Sequence, residues 1–395
     1  MKRKVIRTTA ITLVLAGSVI LYTGCSKTDT TTSTTADQSS TIAAVVETDY
    51  SDNFDVEFDS DEVYTDWSKD NPITLTLEDD SIGETVDGVT VEDGVVTISK
   101  AGTYVISGTL NGSVVVDCAD EKVRLVLNGV TINGGDSPAI NILAANEAII
   151  SLEENTVNIL SDTSTYADTS DEAATGTLYS KADLCINGTG SLTINAAYNN
   201  GIVSKDDLKI VEGTYIINAT NIGIKGKDLV AIKDGLFNIT SGGDGIKSDN
   251  DTEENKGVVY IENGTFDILA ENDGMHGDNI LQIEDGTINI SNSYEGLEGA
   301  VVTINGGTID VVATDDGINT AGGSDDTDSQ DQDPFAVTGG KLIAVGSSGM
   351  AQNISEDSSV PTVLYGFDEG VSSGTVIIIK DADGNEVEKF TLEKD

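Results

Sequence analysis

Apolar and polar positions alternate along the middle of the chain in short runs, and the runs recur at a regular spacing. In GTFDILA, Phe266 and Ile268 share one side of an extended strand, while Asp267 and Leu269 share the other. The same order of strand, glycine, strand and glycine fills the segments DLKIVEGTYIINATNIGIKGK, LVAIKDGLFNITSGGDGIKSD, VVYIENGTFDILAENDGMHGD, ILQIEDGTINISNSYEGLEGA and VVTINGGTIDVVATDDGINTA. Strict alternation of this kind predicts β-strands rather than helices.

The second glycine of each repeat marks the period. It falls at Gly201, Gly223, Gly245, Gly274, Gly296 and Gly317. The step is about 22 residues where no loop intervenes, which is typical of a solenoid and too short for a β-propeller blade. Short strands stacked in register at this period predict an all-β fold, a single-stranded parallel β-helix with about 22 residues per coil. Each glycine is expected at a corner where the backbone takes a positive φ.

The two ends of the chain differ from the repeats. MKRKVIRTTAITLVLAGSVILYTGC has a basic start and a short apolar run, which predicts a signal peptide over residues 1–24. Its Gly-Cys ending resembles a bacterial lipoprotein cleavage site, so we expect lipidation of Cys25 and a protein anchored on the extracellular face of the bacterial membrane. A simple secretory peptide with an incidental cysteine is the alternative.

Composition divides the remaining chain into three parts. Residues 25–61 are rich in Thr and Ser and predict a disordered tether. Residues 62–334 hold the repeats and form the predicted β-helix domain. Residues 335–395 are expected to add the last coil and a non-repetitive C-terminal β cap, which includes the hairpin-like stretch IIIKDADGNEVEKF.

The formal net charge is −47, and removal of the four basic residues of the signal peptide would make it −51. A protein this acidic repels the phosphates of nucleic acid and attracts cations. We expect the protein to contact the membrane only through its lipid anchor. We also expect it to be a monomer. Cys118 and Cys185 lie in apolar runs that favour buried free thiols, although an extracellular location also permits a disulfide between them.

Stacking of the coils would bring acidic residues from distant parts of the chain together. Equivalent residues of successive coils lie about 4.8 Å apart in a parallel β-helix. The position before the second glycine holds Asn200, Ile222, Asp244, Asp273, Glu295 and Asp316. Two carboxylates at that distance repel by roughly 3 kcal/mol at an effective dielectric of about 20, unless water screens them or a cation lies between them.

Calcium is the cation that this column of acids favours. Ca²⁺ binds oxygen at about 2.3–2.6 Å, so one ion fits between carboxylates on neighbouring coils. Zinc and copper are disfavoured because the chain has one histidine and no close cysteine pair. The candidate metal ligands are Asp244, Asp249, Asp273, Asp278, Glu295, Glu298, Asp315 and Asp316. The alternative is that these acids cap turns on a solvated face.

A second column lies two residues after each second glycine. It holds Val203, Lys225, Lys247, His276, Glu298 and Asn319. Lys225, Lys247, His276 and Asn319 are the candidate carbohydrate-binding residues, since they can donate to hydroxyl or carboxylate oxygens. The alternative is that they are solvated groups which offset the charge of the neighbouring acids.

Several stretches resemble a known family. GTYVISGTLNGSVVVDCADEKVRLVLNGVTING, KADLCINGTGSLTINA, GIVSKDDLKIVEGTYII and SGGDGIKSDN are similar to segments of secreted bacterial carbohydrate-binding proteins, and the resemblance runs from Asp70 to Ala321. It implies a right-handed parallel β-helix, related in shape to pectate lyases, that carries calcium and binds polygalacturonate or cellulose.

The family's Asp-Asp-Gly-Ile corner falls on Asp315, Asp316, Gly317 and Ile318, and shorter forms of it fall at Asp244 and Asp273. The chain departs from that corner before Gly201 and Gly223, so those coils are left out of the candidate ligands.

Three functions remain open at this point. The first is calcium-dependent binding of an acidic plant polysaccharide, because a bound calcium ion can take uronate oxygens; neutral cellulose would instead favour a row of exposed aromatic rings. The second is a calcium-dependent polysaccharide lyase, for which Lys247 is the best candidate base; no catalytic residue is otherwise assigned. The third is a cell-surface spacer or adhesin in which calcium only stiffens the solenoid.

Overall fold

The computed structural model describes residues 10–14, 54–119, 121–253, 255–320, 335–347, 354–355, 358–367 and 369–392. The described chain is almost entirely β-structure, and its one helical turn is a 3₁₀ turn at Trp67–Lys69. No helix among these residues has the length and apolar character needed to cross a membrane. Two compact units can be distinguished: Asn53–Gly366, which holds the repeats, and a smaller unit that includes both chain ends.

The strands are numbered in chain order. The first sixteen are β1 (Ala10–Val14), β2 (Ile73–Asp79), β3 (Ser81–Ile82), β4 (Val89–Glu92), β5 (Val95–Ile98), β6 (Gly102–Asn111), β7 (Ser113–Asp117), β8 (Lys122–Asn133), β9 (Ile140–Ala144), β10 (Glu147–Leu152), β11 (Val157–Ser161), β12 (Gly176–Ser180), β13 (Asp183–Asn187), β14 (Ser191–Ala196), β15 (Asn200–Ser204) and β16 (Asp207–Ile210). The remaining strands are β17 (Thr214–Ala219), β18 (Ile224–Gly226), β19 (Leu229–Ile232), β20 (Leu236–Ser241), β21 (Ile246–Ser248), β22 (Val258–Ile261), β23 (Thr265–Ala270), β24 (Met275–Ile283), β25 (Thr287–Ser293), β26 (Leu297–Ile304), β27 (Thr308–Ala313), β28 (Ile318–Asn319), β29 (Phe335–Val337), β30 (Lys341–Val345), β31 (Val376–Lys380) and β32 (Glu386–Thr391).

Most of these strands form three parallel ladders, and the chain visits the ladders in turn. Sheet 1 runs through β10, β13, β16, β19, β22 and the second halves of β24 and β26 to β29. Sheet 2 runs through β14, β17, β20, β23, β25, β27 and β30. Sheet 3 runs through β12, β15, β18, β21 and the first halves of β24 and β26 to β28. The strands therefore stack as the coils of a β-helix-like solenoid.

The register follows the repeats predicted from the sequence. Tyr215 pairs with Phe237, 22 positions further on, and Phe237 pairs with Phe266 across an inserted loop. The three rings stack with centroids 4.7 Å apart and planes within 4°. This spacing is that of neighbouring strands in a sheet, so equivalent side chains of successive coils lie directly over one another. The handedness of the solenoid stays a prediction.

The interior of the solenoid is built from the inward positions of all three sheets. The residue after each second glycine is buried in every repeat and forms one inward column: Ile202, Ile224, Ile246, Met275, Leu297 and Ile318. A second column stacks isoleucine and valine below the aromatic rings: Ile217, Ile239, Ile268, Ile290 and Val311. Long β-branched side chains fill such pleated surfaces well.

The two glycines of each repeat are required for different reasons. The first glycine has a positive φ, for example 139° at Gly235 and 133° at Gly264, as predicted. The second glycine is not among the residues with a positive φ, so that part of the prediction is wrong. A Cβ atom on Gly245 would lie 2.5 Å from the carbonyl oxygen of Gly274 in the next coil. Close approach of two coils, rather than backbone conformation, excludes a side chain there.

The smaller unit contains the predicted C-terminal hairpin. β31 and β32 pair antiparallel through a turn in which Gly384 has a φ of 87°. β1 pairs parallel with β31, although it lies in the segment predicted to be a signal peptide. The predicted lipidation site Cys25 and most of the predicted tether lie outside the described residues. β29, which begins at Phe335, and β30 extend sheets 1 and 2.

The N-terminal boundary of the solenoid unit differs from the prediction. The tether was expected to extend to residue 61, but residues 54–61 lie against sheet 1 and are held there by hydrogen bonds. The physical reason is a short alternation in which Phe54, Val56 and Phe58 face apolar side chains of the sheet. Cys118 and Cys185 are both buried free thiols, which removes the disulfide alternative for this pair.

Candidate functional site

The predicted column of acids lies at the corner between sheets 2 and 3. The Gly245 amide donates to the Asp273 carbonyl oxygen at 2.8 Å, and the Gly274 amide donates to that of Glu295 at 2.9 Å. The Gly296 amide donates to the Asp316 carbonyl oxygen at 2.9 Å. These bonds join consecutive coils at one position, so Asp244, Asp273, Glu295 and Asp316 lie one above another; we call these four residues the acidic corner.

The second predicted column lies beside the acidic corner on the outer surface of sheet 3. Strand register pairs Lys225 with Lys247, Lys247 with His276, His276 with Glu298 and Glu298 with Asn319. We call these five residues the sheet 3 column. His276 and Glu298 are buried, with 5% and 8% of their surface exposed, and Asn319 is 9% exposed. The sheet 3 column is therefore not a fully solvated row, because the two columns pack against each other.

The N-terminal part of the two columns is neutralised by lysines. Lys225 Nζ lies 2.5 Å from Asp249 Oδ2, and Lys227 Nζ donates to the Asp249 carbonyl oxygen at 2.5 Å. Lys247 Nζ lies 3.6 Å from Asp244 Oδ2 and 3.9 Å from an oxygen of Asp278. Three of the predicted metal ligands thus face ammonium groups, which occupy the place that a metal ion would need.

His276 lies at the centre of the two columns and contacts acids on both sides of its ring. Its Nδ1 atom is 3.2 Å from Asp273 Oδ2 and 3.0 Å from Glu298 Oε2, and its Nε2 atom is 3.1 Å from Asp278 Oδ1. Burial lowers the pKa of His276, but the three carboxylates outweigh burial and raise the pKa to about 11. The imidazole is therefore a cation at neutral pH.

Lys247 Nζ also lies 3.0 Å from His276 Nδ1. Two carboxylates face that nitrogen, so we assign a proton to it, and the contact between the lysine and the ring is then an approach of two cations rather than a hydrogen bond. The surrounding acids Asp244, Asp273, Asp278 and Glu298 hold these two positive groups together.

The C-terminal part of the columns has no such lysine. Among the described residues, no basic side chain forms an ion pair with Glu295 or Asp316. Asn319 Nδ2 donates to Glu295 Oε2 at 2.6 Å and to Glu298 Oε1 at 3.4 Å. Asp316 is 2% exposed, and its Oδ1 atom is buried without a hydrogen-bond partner among the described residues. An unpaired buried carboxylate oxygen is costly unless a cation or a proton compensates it.

Burial is the main reason that three acids at this corner have raised pKa values. Burial raises the pKa of Glu295 to about 7, and the neighbouring carboxylates contribute in the same direction. Burial also raises the pKa of Asp273, helped by Glu298 and opposed by His276. The pKa of Asp316 is raised by burial and by Asp315. A divalent cation beside these carboxylates would stabilise their charged forms and lower their pKa values.

The distances between carboxylate oxygens at this corner fit a calcium ion. Ligand oxygens of Asp273, Glu295 and Glu298 all lie within 4.8 Å of one another. Two oxygens on opposite sides of a calcium ion are about 5 Å apart, since each lies at about 2.3–2.6 Å from the metal. Atoms of Asp244, Asp273 and His276 are equally close, but an imidazole that carries a proton on both nitrogens cannot be a metal ligand in that group. His276 Nδ1 also contacts Asp273 and Glu298, so calcium bound by these two acids would compete with that positive charge.

Comparison with known proteins supports a carbohydrate as the ligand of this solenoid. A family described as carbohydrate-binding domain-containing protein matches residues 92–349. That range exceeds half of the chain. The chain belongs to this carbohydrate-binding domain family.

Two relatives of the carbohydrate-binding domain add detail. A carbohydrate-binding domain-containing protein of Acetivibrio thermocellus is 37% identical over 150 residues, which span 37% of this chain and 52% of the relative, so the match extends over about half of that protein. A solved structure described as a polysaccharide lyase-like protein from C. thermocellum, in a gadolinium derivative, is 32% identical with a TM-score of 0.54. It aligns with 68% of this chain and 99% of its own length.

Two predicted metal ligands of the carbohydrate-binding domain lie to the side of the buried acids. Asp315 Oδ2 accepts a hydrogen bond from Tyr294 Oη at 2.8 Å, at an exposed edge. Asp278 faces Lys247 and His276 at the other end of the sheet 3 strand, and His276 and Lys247 hold its pKa below the ordinary value although burial opposes them.

Sequence reasoning missed two features of the carbohydrate-binding domain. Asn272 donates to Asp244 and, at 3.1 Å, to Asp273, so it links two coils of the acidic corner. A separate acidic group, Asp206, Asp207 and Asp228, lies at the corner between sheets 3 and 1. Lys256 contacts Asp228 at 2.7 Å there. The signal for this group was an aspartate near the start of successive sheet 1 strands.

Proposed function

We propose that the chain is a calcium-dependent carbohydrate-binding protein whose ligand is an acidic polysaccharide such as polygalacturonate. Family membership supports the carbohydrate. The observation that carries the metal is the close group of Asp273, Glu295 and Glu298, beside a buried and unpartnered oxygen of Asp316. In this proposal the solenoid is a right-handed β-helix with about 22 residues per coil, as the repeats predict.

Calcium accounts for the attraction between an acidic protein and an acidic polymer. A net charge of −47 would repel a polyuronate. Calcium takes about 6–8 oxygen ligands, and the four acids supply only part of that number. The remaining positions can take carboxylate and hydroxyl oxygens of the sugar. The similar solved structure is a gadolinium derivative, and gadolinium, like calcium, is a hard cation that prefers oxygen ligands.

In this proposal the residues of the sheet 3 column have two different roles. The side chains of Lys225 and Lys247 are 24% and 20% exposed, so they can donate to a sugar chain that extends along sheet 3 from the metal position. His276 and Asn319 are buried and act as positioning residues, because they hold Glu298 and Glu295 toward the metal position. Cellulose is the weaker candidate ligand, since it carries no carboxylate for calcium to bind.

A sedimentation assay on insoluble pectate and on cellulose tests the proposal. We expect the protein to bind pectate in calcium and to be released by a chelator. The double variant Glu295→Gln/Asp316→Asn should lose calcium affinity by about 100-fold or more, because it removes two ligand charges. It should lose pectate binding with it. Isothermal titration with calcium provides the direct measurement.

Asp249→Asn is the matched control for that double variant. Asp249 was also predicted as a ligand, as a further oxygen near the column of acids, but its carboxylate contacts Lys225. This variant should keep both calcium and pectate binding. Equal loss in the control and in the double variant would contradict the assignment of the metal to the C-terminal acids. If calcium raises the melting temperature while neither polysaccharide binds, the solenoid is a spacer.

The same assay separates binding from lyase chemistry. β-Elimination releases unsaturated uronates, which absorb in the ultraviolet, and Lys247 would be the base. Lys247 Nζ lies among Asp244, His276 and Asp278, and no geometric observation favours catalysis over binding. We therefore assign no catalytic residue. Absorbance that rises with time and disappears in Lys247→Ala would overturn this assignment.

We further propose that the protein is a monomer tethered by a lipid at Cys25 on the extracellular face of the membrane. The sequence of residues 1–25 supports this localisation. Metabolic labelling with a fatty acid should mark the protein and fail in Cys25→Ser. Label that persists in the variant would contradict lipidation at this cysteine.

A further inference from the structure

A segment outside the repeats lies along the outer surface of sheet 1. Residues 54–64, which we call the strap, alternate between two sides: Phe54, Val56 and Phe58 are partly buried, while Asp55, Glu57 and Asp59 are exposed. The apolar side packs on Leu229, Ala231, Val258, Tyr260 and Ile280. Phe58 also covers Ile149, Cys185 and Val211. The strap therefore buries an apolar surface that no repeat covers.

The outer surface of sheet 1 is unlike that of sheet 2. Its central outward column, in the order of the coils, is Arg124, Ile149, Cys185, Lys209, Ala231, Tyr260 and Gln282. The corresponding column of sheet 2 is Thr193, Ile216, Asn238, Asp267, Asn289 and Asp310. An apolar and basic column complements a segment that alternates aromatic and acidic residues.

Side chains of the solenoid hold the backbone of the strap. Gln282 accepts from the Phe54 amide and donates to the Phe54 carbonyl oxygen, both at 2.8 Å. Asn187 Nδ2 donates to the carbonyl oxygen of Glu62 at 2.6 Å and to that of Tyr64 at 3.1 Å. Arg124 donates to the carbonyl oxygen of Tyr64 at 3.1 Å. These are the contacts of a peptide bound in a groove rather than of a strand in a sheet.

Two lysines of the solenoid also hold the strap through ionic and cation–π contacts. Lys209 Nζ lies 2.9 Å from Glu62 Oε1 and donates to the Glu57 carbonyl oxygen at 2.9 Å. Lys209 and Lys233 also lie over the Phe58 ring, with 5.7 Å and 5.0 Å between the ammonium nitrogen and the ring centroid.

The strap runs against the order of the coils. Its first residue contacts Gln282 and its last contacts Arg124, which are six steps apart in sheet 1. Six steps of about 4.8 Å make about 29 Å. Residues 54–59 are extended, and residues 60–63 form a turn in which the Val63 amide donates to the Asp59 carbonyl oxygen at 3.1 Å. Phe54, the first residue of the strap, therefore lies at the coil of Gln282, far from the first coil.

We propose that sheet 1 carries a binding surface for one extended segment, and that the strap is its detachable occupant. Residues 54–64 belong to no strand of any sheet, so the ladders of the solenoid stay intact when they leave. Release uncovers the apolar column.

Cys185 reports whether the strap is bound. Its thiol is 1% exposed and lies beneath Phe58. In the full chain with Cys25→Ser and Cys118→Ser, Cys185 is the only thiol, and its reaction rate with a disulfide reagent measures opening. Phe58→Ala should raise that rate about tenfold, because part of the aromatic burial is lost. Phe54→Ala should raise it less, since that end lies several coils away.

Val63→Ala is the matched control, because Val63 lies in the strap but is 43% exposed. It should leave the Cys185 rate unchanged. Hydrogen exchange in the unvaried chain gives a second measurement: amides of residues 55–61 should exchange faster than those of β22, without unfolding of the ladder. Equal Cys185 rates in Phe58→Ala and Val63→Ala, or exchange of the strap and β22 in one cooperative step, would overturn the proposal.

Discussion

The N-terminal and C-terminal parts of the acidic corner have the same backbone geometry but opposite charge balance. Asp244 faces Lys247, which the sheet 3 column places beside it. Glu295 has Glu298 at the equivalent position of that column and accepts a hydrogen bond from Asn319 of the next coil. One column of acids thus contains an internally neutralised part and a part that is short of positive charge.

Stacking of acids alone therefore does not define a metal site. The residue on the neighbouring column decides whether a carboxylate already has a cation. Where the neighbour is lysine, the protein supplies its own charge. Where the neighbour is asparagine, Glu295 and Asp316 keep raised pKa values and have no basic ion-pair partner among the described residues. A buried oxygen without a hydrogen-bond partner occurs in both parts, on Asp249 and on Asp316. Exchanging or removing the neighbouring residues tests the difference between the two parts.

The largest effect is expected from Asn319→Lys. This change gives the C-terminal acids the neighbour that Asp244 has, so an ammonium group competes with calcium for Glu295 and Glu298. We expect calcium affinity to fall about 100-fold, in line with losses seen when residues that hold metal ligands are altered. Calorimetry measures the change. Asn289→Lys adds the same charge on the exposed face of sheet 2 and should have little effect; equal losses would mean that only net charge matters.

The reverse exchange is Lys247→Met. Loss of the ammonium group leaves Asp244 and Asp278 without their lysine, although His276 still contacts Asp278. We expect the number of bound calcium ions to rise by one, with a weaker affinity than at the first site. Titration with calcium measures the stoichiometry, and Lys205→Met is the control on an exposed surface. An unchanged stoichiometry would show that His276 alone suffices to exclude the metal.

The pH dependence of stability should also distinguish the two parts. Burial raises the pKa of Glu295 from 4.5 to about 7, so the folded protein holds this proton more tightly than the unfolded chain. Without metal, the stability from this group is present below pH 4.5 and is lost as pH rises to about 7. Calcium takes the place of the proton and should remove that loss.

His276 provides a second transition in the same measurement. Its pKa is raised from 6.5 to about 11, so its contribution to stability is complete below pH 6.5 and declines as pH rises through about 11. Denaturant unfolding over a range of pH, with calcium and with chelator, separates the two. A loss near neutral pH that calcium does not alter would contradict the assignment of Glu295 as a metal ligand.

The smallest effect is expected from Tyr294→Phe. This change removes the hydrogen bond to Asp315 at an exposed edge, away from the buried acids. Calcium affinity should stay within about twofold, as for most surface substitutions. A loss as large as that of Asn319→Lys would place Asp315 among the ligands and extend the site to the edge of the solenoid.

The periodic parts of the structure could be predicted from the sequence, because every coil repeats the same contacts. The inward columns and the pairing of Lys247 with His276 follow directly from the spacing of the glycines. The burial of His276 could not be predicted in this way. Alternation places a side chain outward, but it does not say that acids of the adjacent coils close around it.

The strap was missed for a related reason. Phe54, Val56 and Phe58 alternate with acids, and this is a visible strand-like signal. A segment that occurs once has no repeat to reveal its partner, so its surroundings depend on contacts far away in the chain. The second glycines were misread because close packing and a positive φ both favour glycine. Only the structure separates the two causes.

The glycine columns have a consequence for the metal position. A Cβ atom at Gly274 would lie 2.6 Å from the Gly296 carbonyl oxygen and 2.5 Å from Ile290 Cδ1. Gly274 directly follows Asp273, and Gly296 directly follows Glu295. Because these glycines have no side chain, successive coils approach closely, and this distance between coils sets the spacing of the Asp273 and Glu295 carboxylates. An added methyl group would push the two coils apart and make that spacing too wide for a calcium ion.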